Sequence, residues 1–299
     1  MTMNIMSPTN IRDIAFFLEE MNNKRSSHIG FCGEDRDEIY ETLINDFSDL
    51  EISDSFVVAY KENSIVGALG LDIDTERNCA DVWGPFVKEN EDFPEIAEDL
   101  WRSILLKVPK EIDEFSFFLN KDNHLVEEFA VKHGGRNTGE DLVLSINKEN
   151  FTNKNRKEPV NYETSFHNSF TRLHNQIFPN TYYDAKTIVS RLNRHNRLFL
   201  VTESNDEIKG YVYSEANPQH KEGNIEYIAV SEAYRKQGIG YLLLTSALDH
   251  LFSFQEIEQI TICVSKENKG AIQLYRSVGF KVKYELVSFK VSIMKNETF

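Results

Sequence analysis

Cysteine, long hydrophobic segments and positive charge are all scarce in this sequence, and each shortage excludes a class of protein. The 299 residues include three cysteines, Cys32, Cys79 and Cys263, without a CxxC pair or metal-ligand spacing. Neither a disulfide framework nor a zinc site is therefore expected. No run of about 18 apolar residues could span a bilayer, and the N-terminus lacks a signal-peptide pattern. We expect a cytoplasmic protein with no membrane partner and no metal.

The shortage of positive charge is confined to the first half of the chain. The formal net charge is -15, yet residues 1–150 contain 14 Lys and Arg against 32 Asp and Glu, and residues 151–299 have a net charge of +3. The acidic half argues against a nucleic-acid partner, because such proteins normally present a basic face. It would suit a cationic substrate, and it would equally serve only to keep a surface soluble.

What the sequence does contain is enough apolar material for one or two cores, at 40% of residues. The most polar connecting stretch is NKENFTNKNRKEPVN, from 147 to 161, which is typical of a linker. We therefore predict a first domain over 1–148, a linker over 149–160 and a second domain over 161–299.

An internal repeat supports this division. The segment FVVAYKENSIVG (56–67) resembles FLVTESNDEIKG (199–210) at an offset of 143 residues, and Val87 and Val230 end the next strands at the same offset. Further on, residues 115–135 align with residues 260–280 after an insertion of two. Three segments in the same order at nearly one offset indicate a duplicated domain.

Each half predicts the same succession of elements. An opening helical region is followed by a hairpin, a third strand, an amphipathic helix, a buried strand, a short helix and a last strand pair. Strands and helices alternate within one unit, so the predicted fold class is α/β, or α+β, with a mixed sheet. Trp83, Phe86 and Trp101 are interpreted as core residues rather than as a ligand box.

Two glycines stand at the start of the amphipathic helix in the second half, in YRKQGIGYLLLTSAL (234–248). The first amides of a helix have no partner inside the helix, and together with the helix dipole they form an anion site. Glycine lets a phosphate approach them, and Arg235 and Lys236 add full charges. A diphosphate site is therefore predicted, although a tight turn with a glycine cap would produce the same pattern.

Two motifs in the second half match a known family. RKQGIG (235–240) matches R/Q-x-x-G-x-G/A, and NKGAIQLYRSVGF (268–280) matches N-x-x-A-x-x-L-Y-x-x-x-G-F. With the strand IEYIAV ahead of the loop, the chain resembles the GCN5-related N-acetyltransferases, the GNAT superfamily. The resemblance covers about residues 155–295 well and the first half weakly, which implies two tandem GNAT-like acyl-CoA N-acyltransferase domains.

The resemblance implies that acetyl-CoA is the co-substrate. Its pyrophosphate would lie on the loop amides of residues 235 to 241, and its pantetheine arm would pair with backbone groups of a strand that splays from ITICV. Asn268 would bond the pantetheine, and Tyr275 would be the general acid for the leaving thiolate. The implied cofactor-binding residues are Ile228, Val230, Arg235, Lys236, Gln237, Gly238, Ile239, Gly240, Tyr241, Asn268, Ala271 and Tyr275.

A general base is also needed, because most amines arrive protonated. Glu226 is the candidate, acting directly or through a water, although a surface carboxylate on a strand would look the same. Strand alternation puts it on the face of Asn224, Ile228 and Val230. Tyr227 would instead line the acceptor pocket, and His220 is a weaker candidate base. Covalent catalysis is not expected, because Cys263 is predicted to be buried in a core strand.

The first half lacks these chemical groups at the aligned positions. Residues 235–238 fall opposite Asp92, Phe93, Pro94 and Glu95, Tyr275 falls opposite Ala130, and Glu226 falls opposite Trp83. Acids oppose a phosphate ligand and proline removes an amide donor. We therefore predict a non-catalytic first domain.

The expected function is acetyl transfer to a primary amine by direct attack in a ternary complex. The alternative is a non-catalytic acyl-CoA sensor or interaction module that uses the same cleft. The acceptor, a small molecule or a peptide, has no readable motif, although the acidic half would attract a cationic amine. Monomer and homodimer are both compatible with the sequence.

Overall fold

A computed structural model describes residues 3–152, 158–179, 181–203 and 207–293, and the chain divides into two units. The first unit comprises Met1–Asp141 and Glu285–Phe299, and the second comprises Leu142–Tyr284. These bounds differ from the sequence-based domains 1–148 and 161–299, which stay predictions. Within the predicted linker, residues 153–157 lie outside the described residues.

The first unit begins with a short strand and three helices and continues as a sheet flanked by helices. Its elements are β1 (Met3–Met6), α1 (Ile11–Asn22), α2 (Arg36–Asn45), α3 (Ile52–Ser55), β2 (Phe56–Lys61), β3 (Ser64–Asp74), β4 (Cys79–Val87), α4 (Phe93–Leu105), β5 (Glu114–Asn120), α5 (His124–Lys132) and the start of β6 (Arg136–Asn147).

The second unit repeats this order. Its elements are the end of β6, β7 (Val160–Asn161), α6 (His167–Ile177), α7 (Ala185–Ser190), β8 (Arg197–Thr202), β9 (Ile208–Asn217), β10 (Glu222–Val230), α8 (Ile239–Ser253), β11 (Gln259–Ser265), α9 (Lys269–Val278) and the start of β12 (Lys281–Ser292). Short 3-10 turns lie at Lys148–Asn150, Thr164–Phe166, Pro218–His220 and Glu232–Tyr234.

Both units contain a mixed sheet, as the sequence predicted. The strand order is β1-β2-β3-β4-β5-β12 in the first unit and β6-β11-β10-β9-β8-β7 in the second. Strands β1 to β4 and β7 to β10 are antiparallel neighbours, whereas β5 is parallel to β4 and β11 is parallel to β10. The parallel pair in each unit is joined by a helix, α4 or α8, that packs on the sheet.

The final strand of each half differs from the prediction. Instead of a strand pair, each half ends in one strand of 12 residues. Strand β6 starts in the first unit and passes into the second at Leu142, and β12 starts in the second unit and passes into the first at Glu285. The prediction was wrong because β12 contains no glycine or proline that would end it. The two units therefore exchange their last strands.

In each unit, the helix that joins the parallel strands packs an apolar face on the sheet. Helix α4 buries Leu100 and Trp101, and α8 buries Leu243, Leu244, Ala247, Leu248 and Leu251 at a helical period. Trp83, Phe86 and Trp101 are at most 4% exposed, so their prediction as core residues is confirmed. Within the described ranges, no helix is both long enough and apolar enough to cross a bilayer.

Candidate active site

Strands β10 and β11 separate part of the way along their length. Their parallel pairing covers three residues of each strand and ends at Asn224 opposite Thr261. Beyond this point, Ser231 N donates to Lys209 O at 2.8 Å. In an antiparallel pair the backbone groups of alternate residues bond the same neighbour, so the backbone groups of the odd-numbered residues of β10 face β9. The backbone groups of Ile228 and Val230 therefore face the split, as predicted for strands that splay.

The glycine loop lies at the end of β10, where the split opens. Gly238 is the N-cap of α8 with φ 81°, and no described side chain caps this helix. The first intrahelical bond runs from Leu242 N to Gly238 O at 3.0 Å, so the amides of residues 239–241 have no helical partner. A Cβ on Gly238 would meet nothing within 4 Å, which leaves open space above these amides.

The other loop residues have distinct roles in the local structure. Arg235 and Lys236 are exposed, and Arg235 Nε donates to Val230 O at 3.3 Å. Gln237 Nε2 donates to Ala233 O at 3.4 Å, which closes the turn. Gly240 differs from Gly238, because its Cβ would lie 3.0 Å from Leu274 Cδ2. Gly240 therefore permits α8 to pack closely on α9, a role that the sequence did not reveal.

Helix α9 carries the second motif. Asn268 is its N-cap, and its Oδ1 accepts from Ala271 N at 3.1 Å, which leaves the Asn268 amide hydrogens available as donors. Tyr275 is 4% exposed, and burial, with a smaller contribution from Cys263, raises the pKa of its phenol above the ordinary value. A phenol with a raised pKa keeps its proton until a stronger base is formed beside it.

Cys263 is exposed, which contradicts its prediction as a buried core residue. In β11 the residues Ile260, Ile262 and Val264 are buried, so alternation places Cys263 on the opposite face. The apolar run ITICV resembles a strand buried on both faces, but only the face of Ile260, Ile262 and Val264 is buried. The argument against covalent catalysis from burial of Cys263 is therefore withdrawn.

A β-bulge in β10 places Glu226. The register with β9 shifts between Ile225 and Tyr227, so Glu226 is the extra residue. Ile225 belongs to the core cluster against which Ile228 and Val230 pack, whereas Tyr227 lies in the cluster on the α6 side. Uninterrupted alternation, which assigned Glu226 to the face of Asn224, Ile228 and Val230, is therefore wrong across the bulge.

The surroundings of Glu226 make it a weak acid. Its side chain is exposed, neighbouring protein atoms partly desolvate its carboxyl, and it interacts electrostatically with Tyr183, Arg191 and Glu215. Desolvation first, and then the charge of Glu215, raise the pKa of Glu226 to about 7, with Arg191 acting in the opposite direction. A carboxylate with this pKa is suited to accept protons near neutral pH.

The segment between α6 and α7 is fastened to the sheet beside Glu226. The Tyr227 hydroxyl bonds Thr181 Oγ1 at 2.8 Å and accepts from Tyr183 N at 3.1 Å. His174 Nε2 donates to Tyr183 O at 2.9 Å while its Nδ1 bonds the Tyr211 hydroxyl. Tyr227 is only 8% exposed, so it holds this acceptor-side segment in place.

Two further residues next to Glu226 were missed by sequence reasoning. Arg191 follows α7 and forms a bidentate ion pair with Glu215 at the end of β9, with distances of 2.8 and 3.0 Å. No motif marks them, because they are 24 residues apart and meet only through the fold.

His220, the weaker candidate base, lies in the Pro218–His220 turn that enters β10, at the opposite end of the strand from the glycine loop.

The corresponding helix in the first unit is capped by its own chain. Asp92 is the N-cap of α4, and its carboxylate accepts from Glu95 N at 3.1 Å. Asp92 and Gly238 are the N-caps of corresponding helices, so Gly238 is the structural counterpart of Asp92. The sequence alignment, which paired Gly238 with Glu95, was therefore wrong by three residues. The loop of the first half is shorter, which an ungapped alignment could not show. An acid still occupies the place of the glycine.

The strand split of the first unit is filled as well. Strands β4 and β5 pair only from Cys79–Glu114 to Asp81–Ser116. Beyond that, residues 28–30 lie along β5: Gly30 N donates to Phe118 O at 2.6 Å, and Asn120 N donates to His28 O at 3.1 Å. The segment forms an isolated antiparallel bridge, between Ile29 and Leu119, on the edge that β11 leaves open in the second unit.

Asn22 holds this 28–30 segment in place. Its fully buried side-chain amide donates to the carbonyls of Cys32 (2.7 Å), Gly33 (3.0 Å) and Ile29 (3.2 Å), and its Oδ1 accepts from Ile29 N at 2.7 Å. Its removal would leave several buried backbone groups without partners.

We therefore expect Asn22→Ala to lower the free energy of unfolding by about 2–4 kcal/mol. Asn23→Ala is the matched control, because the exposed Asn23 amide bonds only the carbonyls of Glu19 and Glu34, and its loss should cost less than about 1 kcal/mol. Urea unfolding of both variants measures the difference. Equal losses would show that Asn22 does not anchor the segment.

Comparison with known proteins agrees with this geometry. Residues 165–280 match the sequence model of the acetyltransferase (GNAT) family. An N-alpha-acetyltransferase of Sulfurisphaera tokodaii is 31% identical over 109 residues, which cover 33% of this chain and 65% of that protein. Spermidine N(1)-acetyltransferase of Escherichia coli is 32% identical over 88 residues, covering 29% of this chain and 47% of that enzyme. The chain thus spans less than two thirds of either relative.

Solved structures extend the likeness to the whole chain. A GCN5-related N-acetyltransferase from Sphaerobacter thermophilus has a TM-score of 0.70 at 14% identity, covering 99% of this chain and 98% of its own. A tandem GNAT protein from the clavulanic acid biosynthesis pathway has a TM-score of 0.68 at 13% identity, covering 99% and 100%. The second half of the chain is similar to the GNAT family, and the whole chain has the fold of a tandem GNAT protein.

Proposed function

We propose that the second unit is an acetyl-CoA-dependent N-acetyltransferase and that the first unit is not catalytic. One observation carries the proposal: the split between β10 and β11 opens beside a glycine-started helix whose first amides have no cap among the described residues. In the first unit the chain itself occupies both places, with Asp92 and with residues 28–30. One open cleft per chain supports one active site.

The residues present fit acetyl-CoA. The amides of residues 239–241 would receive the pyrophosphate, with Arg235 and Lys236 adding charge. The backbone of Ile228 and Val230 would pair with the pantetheine amides as an added strand. Acetyl-CoA would supply an acetyl group activated as a thioester. No described group of three His, Cys, Asp or Glu residues could hold a metal ion, and the proposed reaction needs none.

Glu226 would act as the general base. An amine attacks only through its lone pair, so a protonated acceptor must first lose a proton. Glu226, with a pKa of about 7, would take that proton directly or through a water. The amine nitrogen would then form a bond to the carbonyl carbon as the carbon–sulfur bond breaks. Holding both reactants in one cleft would supply much of the rate.

Tyr275 would act as the general acid. Burial keeps its phenol protonated, so it can donate to the departing thiolate and recover its proton from solvent. Its place on α9, close enough to Cys263 of β11 to interact electrostatically, puts the phenol beside the strand split. The acceptor would be a primary amine of a small molecule or a peptide, since the relatives are named for acting on protein N-termini and on spermidine.

We expect Tyr275→Phe to lower kcat by about 10² or more while changing the acetyl-CoA affinity by less than about threefold. Tyr162→Phe is the control, because it removes a phenol that lies away from the cleft. That phenol bonds His167 Nδ1 at a distance of 3.0 Å. The assay is thiol release from acetyl-CoA with spermidine, a peptide with a free N-terminus and a simple primary amine as acceptors. Tight acetyl-CoA binding without transfer to any amine would instead indicate an acyl-CoA sensor.

A further inference from the structure

The ion pair of Arg191 and Glu215 has no part in the reaction as proposed, yet it is the most highly ordered charged contact near Glu226. Arg191 Nε lies 2.8 Å from Glu215 Oε1, and its Nη2 lies 3.0 Å from Oε2. The Tyr213 hydroxyl donates to the same carboxylate, whose side chain is 18% exposed. A bidentate pair of this kind fixes both partners in orientation as well as in distance.

Arg191 also contacts the acceptor-side segment. Its Cζ lies 4.6 Å from the centroid of the Tyr183 ring, which is cation–π contact. Tyr183 is held at its amide by Tyr227 and at its carbonyl by His174. The guanidinium therefore links β9 to the segment between α6 and α7 at the point where both approach the bulge of β10.

We propose that Arg191 is a positioning residue: it holds Tyr183 against the sheet and balances the charge of Glu215, so that Glu226 is free to serve as the base at neutral pH. This inference rests on the proposed function, because it concerns how the base of that reaction is held. Arg191 acts through Glu215 and Tyr183 and need not touch either substrate.

The charged and titratable groups around Glu226 have opposing effects. Glu215, from β9, opposes its ionisation, and Arg191, after α7, favours it. Tyr183, from the acceptor-side segment, and Tyr213, beside Glu215, have pKa values raised by burial and stay neutral. Tyr227 follows Glu226 in its own strand, and its hydroxyl is engaged by the segment.

The first unit shows the same strand position without such a cation. Asp72 of β3 corresponds to Glu215 at the offset of 143 residues, and each lies opposite the matching residue of the next strand, Asp81 or Asn224. The charges acting on Asp72 are all negative, and with burial they raise its pKa to about 7. In the second unit, Arg191 places a positive charge beside the corresponding carboxylate, Glu215.

The test is the titration of Glu226 in the full chain, followed by ¹³C NMR of labelled glutamate carboxyls and assigned with Glu226→Gln. We expect Arg191→Met to raise the pKa of Glu226 by about one unit and Glu215→Gln to lower it by about one unit. The double variant should return close to the wild type. Arg191→Lys keeps the charge and should leave the pKa within about 0.3 unit.

Arg172→Met is the matched control, because it breaks an exposed ion pair with Glu207 elsewhere in the same unit. A shift common to Arg191→Met and Arg172→Met, or shifts of the same sign in Arg191→Met and Glu215→Gln, would overturn the inference. If Arg191→Met does not fold, Glu215→Gln decides the question by lowering the pKa of Glu226, and Arg191→Lys decides it by leaving that pKa unchanged.

The acid limb of the kcat/KM profile should move in the same directions, which a merely structural role would not produce. The NMR titration needs no acceptor, so its result is independent of the proposed function. Opposed shifts without transferase activity would refute the proposed function and leave the charge balance supported. Activity with an unmoved Glu226 would refute the positioning role alone.

Discussion

Gly238→Asp is expected to weaken acetyl-CoA binding by at least about 100-fold. The new carboxylate would accept hydrogen bonds from the amides at the start of α8. Asp92 does the same at the start of α4, where it accepts from Glu95 N at 3.1 Å. The new carboxylate would also repel the pyrophosphate. The first unit thus already contains an aspartate that caps the corresponding helix. Calorimetric titration of the intact chain with acetyl-CoA measures the effect.

Gly238→Asn separates charge from size in this experiment. Asparagine has the shape of aspartate, tolerates the left-handed conformation at φ 81° comparably, and carries no charge. Since a Cβ at Gly238 meets nothing within 4 Å, Gly238→Asn should keep the affinity within about tenfold of the wild type. Equal losses in both variants would show that backbone strain, not an anion site, explains the glycine.

The stoichiometry of the same titration tests the assignment of the two units. We expect one site per chain, because Asp92 and the 28–30 segment occupy the corresponding places in the first unit. Two sites, or one site that survives Gly238→Asp, would mean that the first unit binds acetyl-CoA. In that case the pair would have to be treated as two acyl-CoA-binding domains.

Glu226→Gln is expected to have the second large effect, a loss of about 10² to 10³ in kcat/KM at pH 8. Glutamine has nearly the same shape and cannot accept the proton of the attacking amine. In the wild type, kcat/KM should rise with pH through about 7, since only the ionised carboxylate is a base and it is protonated below that pH. In Glu226→Gln this limb should disappear.

Glu258→Gln is the control for this second prediction, because Glu258 belongs to an exposed ion pair with Lys221 outside the cleft. It should leave the pH profile unchanged. Retention of the acid limb in Glu226→Gln would mean that another group, such as the acceptor amine itself, produces it. Glu226 would then be a surface carboxylate, the interpretation that the sequence left open.

Local patterns made much of the fold and of the cofactor side predictable. The caps Asn123 and Asn268 and the positive-φ glycines Gly134 and Gly279 stand at matching places, so the repeat was aligned correctly through the last helix of each half. The glycine loop before α8 was also predicted, because turns, caps and helix starts depend on residues close together in the chain. The alignment failed at Asp92, where the loop length differs, and at Trp83, whose position in the sheet corresponds to Tyr227 rather than to Glu226.

The acceptor side could not be predicted in the same way. Arg191, Glu215 and Tyr183 come from three separate elements, and none belongs to a periodic pattern or a motif. Their juxtaposition depends on how α7 and the segment before it pack on β9. Glu226 was identified from its position in the strand, but the grouping of Asn224 on one face with Ile228 and Val230 was incorrect, because one bulged residue reverses the alternation.

The sequence by itself determined the duplicated order of elements, the glycine-started helix and the two motifs, since each is set by neighbours within a few turns of chain. Only the tertiary structure decided which side of a strand is open, as for Cys263, and that residues 28–30 fill the split of the first unit. It also decided that β6 and β12 are exchanged. Each of these depends on pairing between distant strands, where the shift of a single residue changes what is buried.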